Sequence, residues 1–230
     1  MKYKCGLEIL DKNINGFTTS EMIVFGARPG HGNIFLLLSV VRGIYNNAEN
    51  KPKIMVLTNR QQDKFPANKG DKKIFNIVYD QSQDLKSFFE QLYKVIELSK
   101  PEIIVFDINS LYFNRSKDFY RKLKKITLEN DTMIIINSLL KRKADQRVYR
   151  QLQVSDLEAS NVVDEIADKV VLMFRPEVYG IMDCNGRKQK GLADLVIFMN
   201  DNIYTNIFLN FDENKKIFDE NLKNRGYYYL

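Results

Sequence analysis

Short runs of consecutive apolar residues alternate with segments of helical periodicity through most of this chain. Residues 21–26 (EMIVFG), 53–58 (KIMVLT), 74–79 (IFNIVY), 102–107 (EIIVFD), 132–137 (TMIIIN) and 169–174 (KVVLMF) are rich in branched side chains and bounded by polar residues. That is the pattern of strands covered on both faces. Between them, residues 35–45 read as an apolar helix, and residues 81–99 place Leu85, Phe88, Phe89, Leu92, Val95 and Ile96 on one helical face. Pro101 separates that helix from the next strand, residues 116–130 form a basic helix, and a shorter helix covers residues 158–167. The rhythm changes near the end, where residues 194–199 and 203–211 are strand-like and separated by the turn-forming Asn200, Asp201 and Asn202. Helices alternating with buried strands predict an α/β fold, a mostly parallel central sheet flanked by helices, closed by an antiparallel C-terminal hairpin. The 230 residues suit one domain. Ligands in such sheets sit at the carboxyl ends of the strands, where the segments after residues 26 and 106 fall.

The first of those segments is chemically suggestive. Ala27, Arg28, Pro29, Gly30, His31, Gly32, Asn33 and Ile34 follow a strand and open a helix, and they fit the frame of a phosphate-binding loop. In that loop, backbone N–H groups cradle phosphate, a lysine grips the β- and γ-phosphates, and a serine or threonine holds Mg²⁺. Here Asn33 stands at the lysine position and Ile34 at the Ser/Thr position. Asn33 supplies no cation, and Ile34 presents an apolar branch where the metal belongs. The loop backbone and helix start remain able to hold an anion. His31, the only histidine of the chain, reads as a polar residue at the loop tip. Asp107, at the end of a buried strand, is either a Mg²⁺-holding carboxylate or a strand-end acid hydrogen-bonded within the protein.

Composition narrows the class further. Hydrophobic residues make up 44% and charged residues 28% of the chain, as in globular proteins. There is no apolar run long enough for a membrane span and no secretory signal at the start. Two cysteines are too few for a disulfide framework or a zinc site, so reduced thiols and a cytoplasmic location are expected. The net charge of +6 is uneven, with 11 Lys/Arg against 6 Asp/Glu in residues 101–150 and 9 against 13 in residues 151–230. A basic middle suits a polyanionic partner or an ordinary solvated face. Lys141, Arg142, Lys143, Arg147 and Arg150 with Tyr149 form one basic, aromatic-bearing stretch, and Lys117, Arg121, Lys122, Lys124 and Lys125 form a second on the preceding helix. Single-stranded DNA is the partner such stretches fit.

Further motifs join these elements. They are Gly6 to Asp11 with Gly16 and Phe17, the run Ala27-Arg28-Pro29, residues 138–142 (SLLKR) with Gln146 and Arg147, residues 155–160 (SDLEAS), residues 164–168 (DEIAD), and then Arg175 and Tyr179. In order and spacing they resemble the C-terminal RecA-like motor domain of DnaB-type replicative DNA helicases. The resemblance covers nearly the whole chain and implies a RecA-like P-loop fold. The N-terminal helicase domain of that family is not expected within these residues.

The resemblance also implies roles, and most of the chemical ones are vacated. The family's catalytic glutamate corresponds to Arg60, its glutamine sensor to Leu139, and its interface-crossing Lys and Arg to Met199 and Asp201. Asp107 remains, and an Asp107–Arg60 ion pair is expected in place of the metal. Glu158 and Asn161 replace an arginine and a glycine of the family's DNA-gripping turn. The expectation is a helicase-like domain linked to DNA replication or recombination that binds nucleic acid or protein and has lost ATP hydrolysis. No resident cofactor or metal is expected, and Mg·ATP only as a weak ligand. The alternatives are an active ATP-dependent helicase with relocated groups, and a non-catalytic subunit in a ring of helicase-like subunits or of copies of itself.

Overall fold

In the computed structural model the described residues are 1–61, 64–68, 70–82, 84–107, 116–142, 152–184, 186–199 and 204–222. Strands β1 (Lys2–Tyr3) and β2 (Phe17–Thr18) form a small antiparallel pair around helix α1 (Glu8–Asn13). Then follow β3 (Met22–Ala27), α2 (Asn33–Asn47), β4 (Ile54–Thr58), β5 (Phe75–Tyr79), α3 (Leu85–Ser99), β6 (Ile103–Asp107), α4 (Lys117–Asn130), β7 (Met133–Leu139), α5 (Ser160–Ile166) and β8 (Lys169–Phe174). The exposed pair β9 (Asp183–Cys184) and β10 (Arg187–Lys188) precedes β11 (Leu192–Met199), β12 (Tyr204–Asp212) and β13 (Ile217–Asp219). The main sheet has the order β13-β12-β11-β8-β3-β7-β6-β4-β5. Its strands β8, β3, β7, β6, β4 and β5 are mutually parallel, while β11, β12 and β13 run antiparallel. The expected parallel sheet and closing hairpin are present. The third antiparallel strand, β13, was too short to register as a pattern.

The continuous apolar runs form because helices cover both faces. Ile103 and Val105 of β6, Met133 and Ile135 of β7, and Ile54 and Val56 of β4 join the core under α2. Ile104, Phe106, Ile134, Ile136, Met55 and Leu57 join the core under α3, α4 and α5. Side chains alternate along a strand, so Thr58, Asp107 and Asn137 fall on the α2 face at the carboxyl ends of three adjacent strands. The register agrees, since Thr58 lies opposite Asp107 and Phe106 opposite Ile136. Strand order and period alone therefore bring three polar side chains beneath the start of α2. Side-chain caps fix the helix starts: Asp84 accepts from the Ser87 N–H at 2.9 Å and Ser116 from the Phe119 N–H at 3.1 Å. The helix expected from residue 81 accordingly begins only at Leu85. Among the described residues, no helix is long and apolar enough to cross a membrane.

One carboxylate in the sheet is out of balance. Asp194 of β11 lies between Phe174 and Phe208 in the register, and its Oδ1 is buried without a hydrogen-bond partner among the described residues. Desolvation by burial pushes its carboxyl up to about 6. The native state then holds this proton more tightly than the unfolded chain, so stability falls as pH rises from about 4 through 6. Asp194→Asn is expected to stabilise the protein at pH 8, by on the order of 2 kcal/mol, and to change little at pH 4. Urea midpoints at the two pH values check this.

Candidate nucleotide-type site

The loop joining β3 to α2 has the expected backbone. Gly30 (φ +86°) and Gly32 (φ +83°) adopt the left-handed conformation that glycine tolerates, and Gly32 caps α2 without a side chain. Pro29 and Gly30 are exposed, Ala27 is buried, and Arg28 is half-buried, its Nη1 donating to the Leu140 carbonyl at 2.8 Å.

The polar residues below the loop form one connected chain. Asn33 Nδ2 donates to the Phe25 carbonyl at 2.9 Å and to Asn137 Oδ1 at 2.5 Å. Asn137 Nδ2 donates to Asp107 Oδ1 at 2.7 Å. Asp107 Oδ2 accepts from Thr58 Oγ1 at 3.2 Å and from Arg60 Nε at 2.5 Å, and Arg60 Nη2 reaches Oδ1 at 3.3 Å. The Asp107 side chain is fully buried and that of Arg60 is 39% exposed. The expected Asp107–Arg60 ion pair is thus formed, and a buried carboxylate needs such a partner. Of the two readings of Asp107, the geometry gives the internally bonded strand-end acid, although its link to the loop runs through Asn137. Sequence reasoning missed Asn137. The signal was a single polar residue closing the apolar run TMIIIN.

These residues do not fit Mg·ATP. Both Asp107 oxygens are engaged by protein donors, and a half-exposed guanidinium stands where a second carboxylate would serve a metal or water. Asn33 directs its amide down into the sheet, away from a phosphate. Ile34 packs into the core on the α2 side, 8% exposed. It therefore fills the base of the loop with hydrocarbon and leaves no hydroxyl for a cation.

His31 departs from expectation. It is fully buried, not at an exposed tip. Its Nδ1 accepts from the Arg175 N–H at 2.9 Å, and its ring packs against Phe174 and Tyr179 at centroid distances of 5.7 and 5.4 Å. The aromatic residues flanking the end of β8 draw the imidazole inward. Arg175 covers the loop from outside: its Nη1 donates to the His31 carbonyl at 3.1 Å, Glu177 pairs with its guanidinium, and the cation stacks 4.0 Å above the Phe211 ring. The Arg175 charge is matched locally, so it does not stand in for a free loop lysine.

The basic stretches also look different in three dimensions. Lys141 Nζ donates to the Ser155 carbonyl at 3.2 Å and to Ser160 Oγ at 3.0 Å, Arg142 is exposed, and Lys143, Arg147, Tyr149 and Arg150 lie outside the described residues. Asp201 lies outside them too, whereas Leu139 and Met199 are half-buried strand ends. On α4 every basic residue of the run has an acidic neighbour. Lys117 and Arg121 approach Glu165, Lys122 pairs with Asp118, Lys124 with Asp168 and Lys125 with Glu129. Exposed pairs like these contribute little stability, but they leave no unbalanced positive face on α4. The second stretch expected to track phosphates is therefore neutralised.

The fold and the glycine loop at its switch point define the class, a RecA-like ATPase domain. An ATPase domain solved on its own superposes with a TM-score of 0.75 at 17% identity, covering 96% of this chain and 91% of that one. A DnaB-like replicative helicase, solved in a study of its interactions with primase, superposes at 0.72 and 17% identity, covering 95% of this chain and 62% of that one. Within the class, residues 112–220 belong to the DnaB-like helicase C terminal domain family. The replicative DNA helicase DnaB of Mycoplasma pneumoniae is 24% identical over 85% of this chain, which spans about half (50%) of that relative's length. The family match begins after Asp107, so the loop, Arg60 and Asp107 lie outside it.

Proposed function

We propose that this DnaB-like domain serves DNA replication or recombination as a binding module and does not hydrolyse ATP. The observation that carries the reading is the chain Asn33–Asn137–Asp107–Arg60. It satisfies internally the groups that phosphoryl transfer requires to be free for Mg²⁺, water and the γ-phosphate. Transfer depends on positioning and charge neutralisation, and each preorganised donor is worth about 10²–10³ in rate. Losing the loop lysine, the metal-holding hydroxyl and the carboxylate together leaves little catalysis to recover, even though such losses are not additive.

The test is a coupled ATPase assay paired with calorimetric titration of Mg·ATP. Turnover at background and no saturable heat are expected, and Asn33→Lys alone is expected not to restore activity. Magnesium-dependent turnover that Asp107→Ala abolishes would instead establish an enzyme. Single-stranded DNA is the binding partner that residues 141–150 suit best, with Arg142 exposed at their start. Anisotropy with a 20-nucleotide oligo-dT is expected to show salt-sensitive binding that weakens when Lys141, Arg142 and Lys143 are changed together to glutamine. No binding at low salt removes DNA from the proposal.

A further inference from the structure

At the opposite end of the sheet from the C-terminal hairpin, β5 is an edge strand that pairs only with β4 among the described residues. Edge strands are ordinarily protected by charge, proline or a covering element. Phe75, Asn76, Ile77, Val78 and Tyr79 carry no charge and no proline. The Asp80 N–H donates to the Thr58 carbonyl on the β4 side at 2.8 Å. Parallel-strand alternation therefore turns the N–H and C=O groups of Phe75, Ile77 and Tyr79 outward.

Beside this edge lies a groove of about 620 Å³, which Ile77, Tyr79, Ile74 and Tyr45 help to line. Lys51, Lys53, Lys72 and Lys73 also line it, and no aspartate or glutamate among the described residues does. The nearest acids are already paired. Asp71 is held by Arg42 at 2.8 and 2.7 Å, and Glu102 accepts from the Tyr3 hydroxyl at 2.8 Å and the Lys53 N–H at 3.1 Å.

The geometry points to an acidic, extended peptide segment of a partner protein that adds a strand to β5 and lays its carboxylates among these lysines. Strand addition draws affinity from main-chain hydrogen bonds and specificity from alternate side chains, and this site offers both. The positive rim selects the charge of the occupant. Nucleic acid fits less well, because stacking needs an open aromatic face. Lys51 already lies 5.6 Å over the Tyr45 ring, anchored to the Asn46 and Ala48 carbonyls at 3.0 and 2.9 Å, and Tyr79 is half-buried.

The probe is a fluorescent octapeptide alternating valine and glutamate, titrated into the full chain. Saturable binding is expected, at least tenfold weaker for K72E/K73E, with the amides of residues 75, 77 and 79 gaining protection from hydrogen exchange. An octapeptide alternating valine and lysine, and one alternating proline and glutamate, are expected not to bind. The inference is overturned if the valine–glutamate peptide does not saturate, if it binds without protecting those amides, or if oligo-dT protects them instead. Concentration-dependent self-association that K72E/K73E removes would overturn it in favour of a second copy.

Discussion

Arg60→Ala is expected to destabilise the protein by about 2 kcal/mol while leaving ATPase activity at background. Breaking a buried ion pair from one side typically costs about 3–5 kcal/mol. The Arg60 side chain is 39% exposed, so water takes over part of its role and the lower figure applies. Asp107 would keep Asn137 and Thr58 as donors but lose its counter-charge. A loss of that size lowers the melting midpoint of a domain this large by about 4–8 °C. Asp107→Asn is expected to cost less, because it removes the buried charge and leaves Arg60 free to turn toward solvent. In the double variant the two effects should fall well short of adding. A functioning metal site behaves in the opposite way, since removing its carboxylate abolishes turnover at small cost in stability. Thermal melts with an ATPase assay on the same samples separate the two. Unchanged stability in Arg60→Ala would mean that the pair does not hold the site together.

That contrast shows which parts of the site were legible in the chain. Asn33, Ile34 and Arg60 announce by identity that groups needed for hydrolysis are missing. The Asp107–Arg60 pair was legible as well, because a strand-end acid and a base after the neighbouring strand fall at the same end of a parallel sheet. What remained hidden depends on strand order. Asn137 links Asn33 to Asp107 only because β7 lies between β3 and β6, and no local pattern encodes that insertion. The burial of His31 was hidden for a similar reason. Its cage comes from Phe174, Arg175 and Tyr179, more than 140 residues away in sequence. The strands were legible because their apolar runs are uninterrupted. β13 was not, because three residues carry no periodicity and its place is set by pairing with β12. The charges on α4 read as a basic face until Glu165 and Asp168 from the following elements came alongside.

Gly43→Ala is expected to be the most damaging single-methyl change in the chain, although the position is helical and alanine is the best helix former. On an exposed helix surface the substitution gains about 1 kcal/mol. Here a Cβ on Gly43 would lie 1.8 Å from the Cys5 carbonyl oxygen and 2.8 Å from its carbon. Neither partner has room to yield. Asp11 anchors the N–H groups of Cys5 and Gly6 at 2.9 and 2.8 Å, and Leu36, Leu37, Val40, Val41 and Ile44 bury α2 in the core. Relieving the clash requires the helix or the N-terminal segment to move by roughly an ångström or more, given ordinary carbon–oxygen contact distances. Overpacking of this kind costs about 1–3 kcal/mol and occasionally more, and contact with anchored backbone belongs at the upper end. A net loss of at least about 2 kcal/mol is expected even after the helical gain, with a fall in melting midpoint of at least about 4 °C. The consequence reaches the site, because α2 carries Asn33 at its first turn. A shifted helix pulls Asn33 away from Asn137, so Gly43→Ala combined with Asn33→Ala should cost less than the two changes summed. Strict additivity would show that α2 stays in place and that the clash is absorbed at Cys5.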